Sequence, residues 1–342
     1  MTNPETRAAL PIGPFMDARR PIRVLSKRLP RLLIKLAISA ALIWFVCRDI
    51  DPSGIGRRFV GQSTEWLIAA ALAVLAQILI AALRWQQILK ALGIEIPART
   101  VVSMSFIGSF FNSWLLGSGS GDVARAILAP ADARGRSVIV HSVLFDRAAT
   151  FAGIGLTVLP VVLFNIGPLA RGIPVLISLA VVTVPFLGLI WLERLISLII
   201  RWRLPIAGLV GNLVESWQRL RRSRPRFYLA LAIGALSEVT ISITAYCLAR
   251  AQHLDISLVD FMAVMPAVVL LGALPISVGG WGVRENVLVL ALAPLGVAAG
   301  AALLIGVEIG FLGAVLSLPG GVFWLFRHVL RSSPAPVPRG SV

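Results

Sequence analysis

Two short stretches of the chain combine charge, hydroxyl groups and glycine within apolar surroundings. The first is Gly117-Ser118-Gly119-Ser120-Gly121-Asp122-Val123-Ala124-Arg125; the second is Pro275-Ile276-Ser277-Val278-Gly279-Gly280-Trp281-Gly282-Val283-Arg284-Glu285. The chemistry such a pattern offers is recognition of an anion. Gly117, Gly119, Gly121, Gly279, Gly280 and Gly282 let backbone amides approach a ligand closely, and Ser120 and Ser277 add hydroxyls. Arg125 and Arg284 present cationic forks that suit phosphate oxygens. Asp122 and Glu285 are placed to orient those arginines or to meet a cationic group. Trp281 is placed to cover an acyl chain or to fix its segment at an interface. The competing reading makes both stretches folding or gating turns whose charges pair internally. Neither is a nucleotide-binding phosphate loop, because the lysine–hydroxyl pair is missing and the flanks read as helices.

Further charges stand at intervals between and beyond these stretches. Asp146 and Arg147 sit at the edge of an apolar run, where an acid is costly unless paired or wet. Adjacent side chains diverge on a helix, so an Asp146–Arg125 pair across segments is geometrically better than Asp146–Arg147. Either a structural network or direct headgroup contact fits them. His141 lacks companions for metal or acid–base work and reads as a local cap or a surface group. Glu238 and Glu308 are isolated acids inside apolar helices, open to three roles: proton coupling, structural pairing or substrate contact. No serine–histidine–carboxylate set, paired glycosidase carboxylates, HExxH motif or nucleotide fingerprint occurs. The expectation is therefore no catalytic residue, no metal and no cofactor. Cys47 and Cys247 both lie in apolar runs and read as small packing groups.

The elements that must hold these residues are membrane helices. Of 342 residues, 57% are hydrophobic and 14% charged, a balance that a soluble globule of this size does not reach. The net charge of +16 is concentrated beside the apolar runs. Residues 1–31 carry seven basic and two acidic side chains, and 193–226 carry eight and two. That placement marks inward-facing loops next to anionic lipid and argues against nucleic acid as the partner. Residues 1–30, with Pro11, Pro14, Pro21 and Pro30, read as a flexible cytoplasmic arm, and 331–342 as a polar tail. Between them, residues 31–330 form one transmembrane domain. Its expected spans are 32–47, 66–83 with Arg84 and Trp85 as interfacial anchors, a run from Asp146 to about Phe164, 172–192, 227–249 and a last one from Ala298. Pro319 either kinks that last span or divides it. Residues 193–226 read as an amphipathic interfacial segment broken at Pro205.

Each glycine stretch interrupts a segment too short or too broken for one span. Backbone polar groups in hydrocarbon need partners, so such breaks belong where protein or an aqueous cavity covers them. The predicted fold is all-α, with six full crossings, both termini cytoplasmic, and two re-entrant helical hairpins entering from opposite sides. An ordinary span with an external loop is the alternative for the first. The opposed entry suggests an inverted repeat of the kind that brings broken helices together near the membrane midplane.

At these segments the chain resembles the transmembrane part of the lysylphosphatidylglycerol synthase and flippase family, over roughly residues 30–330. SFFNSWLLGSGSGDVARAILAP is similar to the family's glycine-rich turn and arginine-bearing segment, SVLFDRAATFAGI to its acidic–arginine helix start, and PISVGGWGVREN to its P-x-S-x-G-G-x-G-x-R-E segment. The resemblance implies a module that handles membrane lipids, without the soluble aminoacyl-transfer domain of the complete synthases. The expected function is movement of a polar-headed, anionic or aminoacylated lipid between the leaflets of a bacterial inner membrane. Arg125, Arg147, Arg284, Asp122, Asp146, Glu285, Ser120, Ser277 and Trp281 are its expected ligand contacts. A phospholipid, an aminoacyl-phospholipid or a hopanoid is the expected cargo; a second copy or envelope-lipid biosynthesis proteins are the further partners. A membrane transferase that modifies a lipid, and a non-catalytic scaffold, are the alternatives.

Overall fold

The computed structural model describes residues 58–114, 119–130, 135–164, 207–274 and 279–332, with the single positions 37, 41, 44, 48, 56 and 277. The expected arm 1–30, the spans over 32–47 and 172–192, residues 193–206, Gly117 and the tail beyond Ser332 lie outside the described residues. Among the described residues the regular elements are helices. They are α1 (Thr64–Ala91), α2 (Ala98–Trp114), α3 (Ser120–Leu128), α4 (Arg136–Leu163), α5 (Ala207–Arg222), α6 (Arg224–Ala251), α7 (Leu258–Gly272), α8 (Val283–Leu292) and α9 (Ala299–Ser332).

Four of these contain a stretch long and apolar enough to cross a membrane: Thr64–Ala91, Arg136–Val161, Arg224–Ala251 and Ala299–Arg327. At 1.5 Å per residue the shortest is about 39 Å long, more than a hydrocarbon core of about 30 Å requires. Their outer faces carry exposed Leu72, Leu83, Leu159, Leu236, Phe311 and Phe326. So much apolar surface suits lipid rather than water as the neighbour.

The helices follow the same order twice, long–short–short–long, as α1 to α4 and again as α6 to α9, with α5 between. The two leading helices, α1 and α6, make the most extensive helix–helix contact among the described residues. They run antiparallel: the Ser63 amide donates to the Ala251 carbonyl at one end (3.0 Å), and Arg226 Nη1 donates to the Lys90 carbonyl at the other (3.1 Å). Each half reaches across to the other, α2 against α9 and α7 against α4. The α4–α6 crossing is close because glycines meet there; a Cβ on Gly153 would fall 2.2 Å from the Gly234 carbonyl carbon. One apolar cluster centres on Leu248, Phe261, Met265 and Ile305, and another on Trp85, Leu89, Met104 and Ile139.

Two sequence expectations change. Arg84 and Trp85 are buried rather than interfacial, because α1 continues to Ala91. Asp146 lies ten residues inside α4 rather than at a helix edge, since the helix starts at Arg136. Both departures have one cause: these charges find partners on neighbouring helices, so a helix containing them need not end there. The last span, which the sequence left open between one helix and two, is the single helix α9 running past Pro319.

Candidate functional site

The first glycine stretch folds α3 back on α2. Gly119, at φ 92°, takes the left-handed turn, and the Gly121 amide donates to Asn112 Oδ1 at 2.8 Å. Ser120 Oγ donates to the Phe111 carbonyl at 2.7 Å. A Cβ on Gly121 would sit 2.1 Å from the Gly108 carbonyl oxygen, so only glycine admits this approach.

The fold-back delivers Asp122 and Arg125 to α1 and α4, where five charged groups alternate in sign. Asp146 Oδ1 accepts from Arg84 Nε (2.7 Å) and its Oδ2 from Arg125 Nη1 (3.0 Å). Arg125 Nη2 donates to Asp122 Oδ1 (2.5 Å), and Asp122 Oδ2 accepts from Arg147 Nε. The expected cross-segment pair of Asp146 with Arg125 is thus formed. Arg84 also donates to Ser237 Oγ of α6 (3.2 Å), and the Arg125 guanidinium lies 5.0 Å from the centre of the Trp85 ring. Exposure grades along this chain: the Asp146 side chain is 2% exposed, Arg125 10%, Asp122 16% and Arg147 37%. The wet end is Arg147.

The second stretch is built differently. Gly279, Gly280 and Gly282 have φ of 60°, 79° and 87°, a run of left-handed backbone that favours glycine. Glu285 Oε2 accepts from the Gly282 amide (2.6 Å) and caps the start of α8. Its Oε1 accepts from Arg284 Nε (3.1 Å) and Nη2 (2.5 Å), and the guanidinium lies 4.8 Å from the centre of the Trp281 ring. Ser277 Oγ is buried without a partner among the described residues.

Both turns line one cavity of about 510 Å³. Gly119, Asp122 and Arg147 form one wall, and Gly279, Gly280 and Arg284 another; Asn112 stands with them. Phe151, Ile241, Met265, Val268 and Ile309 make the remaining surface largely apolar. Two guanidinium groups and a carboxylate therefore face an oily chamber, an arrangement suited to a charged head with hydrocarbon attached. Arg125 and Asp146 stand behind this wall, and Ser120 and Glu285 are engaged in holding the two turns.

The sequence matches the family profile described as lysylphosphatidylglycerol synthase TM region over residues 32–321. The chain belongs to this family. No curated protein sequence matches it. As a member of the lysylphosphatidylglycerol synthase TM region family, the chain is a polytopic membrane protein, and membership supports a lipid-flipping or lipid-transport function for an anionic or aminoacylated phospholipid.

The other two acids lie apart from the cavity walls. Glu238 is buried on α6, in the electrostatic reach of Arg84. Glu308 is buried on α9 and accepts from Gln62 and Gln252. His141 Nδ1 is 2.8 Å from Ser216 Oγ of α5, which ties α4 to the amphipathic helix. Among the described residues, no group of three or more His, Cys, Asp or Glu could hold a metal ion. Sequence reasoning missed Arg84, Asn112 and Ser237. A signal existed for Arg84, which falls six residues before Lys90 in the last turn of α1, too far in to snorkel freely. Asn112, a lone amide among aromatics, carried a weaker one.

Proposed function

We propose that this protein moves a polar-headed anionic or aminoacylated phospholipid between the leaflets of a bacterial inner membrane, holding the head in the cavity between its two glycine turns. The observation that carries the reading is the meeting of Arg147, Asp122 and Arg284 from both halves around one largely apolar chamber. Phosphate oxygens sit between Arg147 and Arg284, whose guanidinium groups offer charge-assisted hydrogen bonds. Asp122 meets a cationic element of the head, such as the amine of an aminoacyl group. Glycine amides at 119, 279 and 280 approach the head, while the acyl chains stay against the apolar wall.

In this reading α2–α3 and α7–α8 are re-entrant hairpins entering from opposite faces, and the whole chain makes six full crossings. The arginine-rich junction of α5 and α6, with Lys90 beside it, faces the cytoplasm by its charge, and both termini lie on that side. Opening of the cavity alternately to each leaflet completes transfer. Arg125 and Asp146 act behind the wall by fixing Asp122 and Arg147.

The test is reconstitution into liposomes with an asymmetric lipid panel, followed by mass spectrometric identification of each leaflet's lipids. Redistribution without chemical change is the expected result. Absence of movement across a broad panel, from folded protein, would sink the transport reading; conversion of a lipid would establish a transferase instead.

A further inference from the structure

We propose that Glu308, held between Gln62 and Gln252, is a proton-binding site that couples lipid movement to a transmembrane proton gradient. The proposal rests on the transport reading above. Glu308 is buried roughly 14 Å along α9 from Ala299 at 1.5 Å per residue. Gln62 Nε2 donates to its Oε1 (2.5 Å) and Gln252 Nε2 to its Oε2 (3.5 Å). The carbonyl oxygens of both glutamines, Gln62 Oε1 and Gln252 Oε1, are buried with no partner among the described residues. Two idle acceptors beside one buried carboxylate require an explanation, because each unsatisfied buried group costs about 1–3 kcal/mol.

A proton supplies it. An amide can turn over to present oxygen instead of N–H, and a protonated carboxyl can donate where a carboxylate only accepts. The site thus has two forms. In one, Glu308 is ionised and accepts both N–H groups. In the other, a proton from water bonds to a carboxylate oxygen, and the new O–H donates to a turned glutamine oxygen; release to water reverses both changes. The donor set suits a proton better than a hard metal ion. One carboxylate and two carbonyl oxygens fall short of the roughly six oxygens that magnesium or calcium needs.

The site lies next to exposed residues and has a mechanical link to the cavity. Gly61 and His253, each next to a glutamine of the site, are exposed, and His253 Nε2 lies 3.2 Å from the Gly61 carbonyl oxygen. On the other side of α9, Gly306 and Gly310 stand two residues either way from Glu308, about 200° around the helix. A Cβ on Gly306 would be 3.2 Å from Glu285 Cα, and one on Gly310 2.2 Å from Arg284 Nη2. One turn of α9 therefore carries the carboxylate on one face and the cavity's Arg284–Glu285 pair on the opposite one. A rotation of α9 that follows proton uptake moves the bed on which Arg284 rests.

Among the other charges at this end of the molecule, Arg250 Nη1 pairs with Asp255 (3.3 Å), and Glu65 is exposed at the start of α1. Asp260 Oδ2 accepts from Ser257 (2.7 Å), while its Oδ1 is buried without a partner among the described residues. Arg284 and Glu285 pair with each other on the far face. Glu238 lies beside Arg84, whereas the described contacts of Glu308 include no cation.

Two measurements on the full-length protein test this. The first is infrared difference spectroscopy across pH in lipid nanodiscs. Glu308→Gln should remove a titrating carboxylic C=O band that Glu238→Gln leaves in place, and Gln62→Leu with Gln252→Leu should displace its midpoint. An unchanged band in Glu308→Gln would overturn the proposal whether or not lipid moves. The second uses fluorescent phosphatidylglycerol in proteoliposomes with an imposed gradient of about one pH unit, which can drive up to about a tenfold leaflet asymmetry for one proton per lipid. The wild type should approach that asymmetry and Glu308→Gln should show none. Equal asymmetry in both, or asymmetry driven instead by sodium at constant pH, would refute proton coupling. A wild type that moves no lipid would fail the transport reading, with the infrared result still deciding Glu308.

Discussion

The two halves deliver an arginine to the same cavity by opposite means. In the first, Arg147 ends an alternating run through Asp122, Arg125, Asp146 and Arg84 that ties α1, α3 and α4 together. In the second, Arg284 is held by its own neighbour Glu285, by Trp281 on the preceding turn, and by bare glycine on α9. The difference assigns unequal mobility. The first wall is braced across three helices and cannot shift without breaking buried ion pairs. The second is a self-contained unit resting on a smooth helix, so in the proposed transport cycle it is the wall expected to move.

The sharpest break of this contrast comes from removing the centre of the first network. Asp146→Asn leaves Arg84 and Arg125 facing each other in a buried site and should destabilise the protein by about 3–5 kcal/mol. Glu285→Gln keeps an acceptor near Gly282 and should cost only about 1–3 kcal/mol. Thermal unfolding in one detergent compares them; equal losses would abolish the distinction between a braced and a free wall. Glycine replacements make the same comparison on a smaller scale. Gly121→Ala drives a methyl group into the Gly108 backbone, which cannot yield, and overpacking of that kind costs about 1–3 kcal/mol. Gly310→Ala meets only the far end of Arg284, which can swing aside. It should therefore unfold near the wild-type temperature yet lose lipid movement in the reconstituted assay.

Loss of the cavity cations should weaken transport without unfolding. Arg147→Gln and Arg284→Gln each remove a charged hydrogen-bond donor worth about 1.5–3 kcal/mol, or roughly 10- to 100-fold in lipid affinity. The double variant should lose more than either. Arg147→Gln also leaves Asp122 with one partner fewer, so its melting temperature should fall further than that of Arg284→Gln. The reverse order would place the brace in the wrong half.

Much of this arrangement was legible because broken helices announce themselves in sequence. The second segment, read as too broken for one span, is two helices, α7 and α8, of 15 and 10 residues, on either side of the glycine turn. Glycine clusters next to lone charges marked both turns, since apolar helices have no other use for either. What stayed hidden was the division of labour among the charges. Arg125 and Arg147 both read from sequence as ligand contacts; in space Arg147 lines the cavity while Arg125 stands behind it, an arrangement that depends on where α3 meets α4. Arg84 escaped for the same reason: a charge near the end of an apolar run looks interfacial until a partner from another helix appears beside it.

The smallest expected effect concerns the ring that steadies the free wall. Trp281 and Trp85 stand at nearly the same distance from an arginine, 4.8 and 5.0 Å, but Arg125 over Trp85 is also held by two carboxylates. Arg284 has one, so the ring matters more to its orientation. A cation over an aromatic face contributes about 0.5–1 kcal/mol where water reaches it, which corresponds to roughly two- to fivefold in affinity. Trp281→Leu should therefore slow lipid movement by about that factor, while Trp281→Phe, which keeps an aromatic face, should stay close to the wild type. Equal slowing by both would mean that the indole's bulk or its N–H, rather than its contact with Arg284, is what the second wall uses.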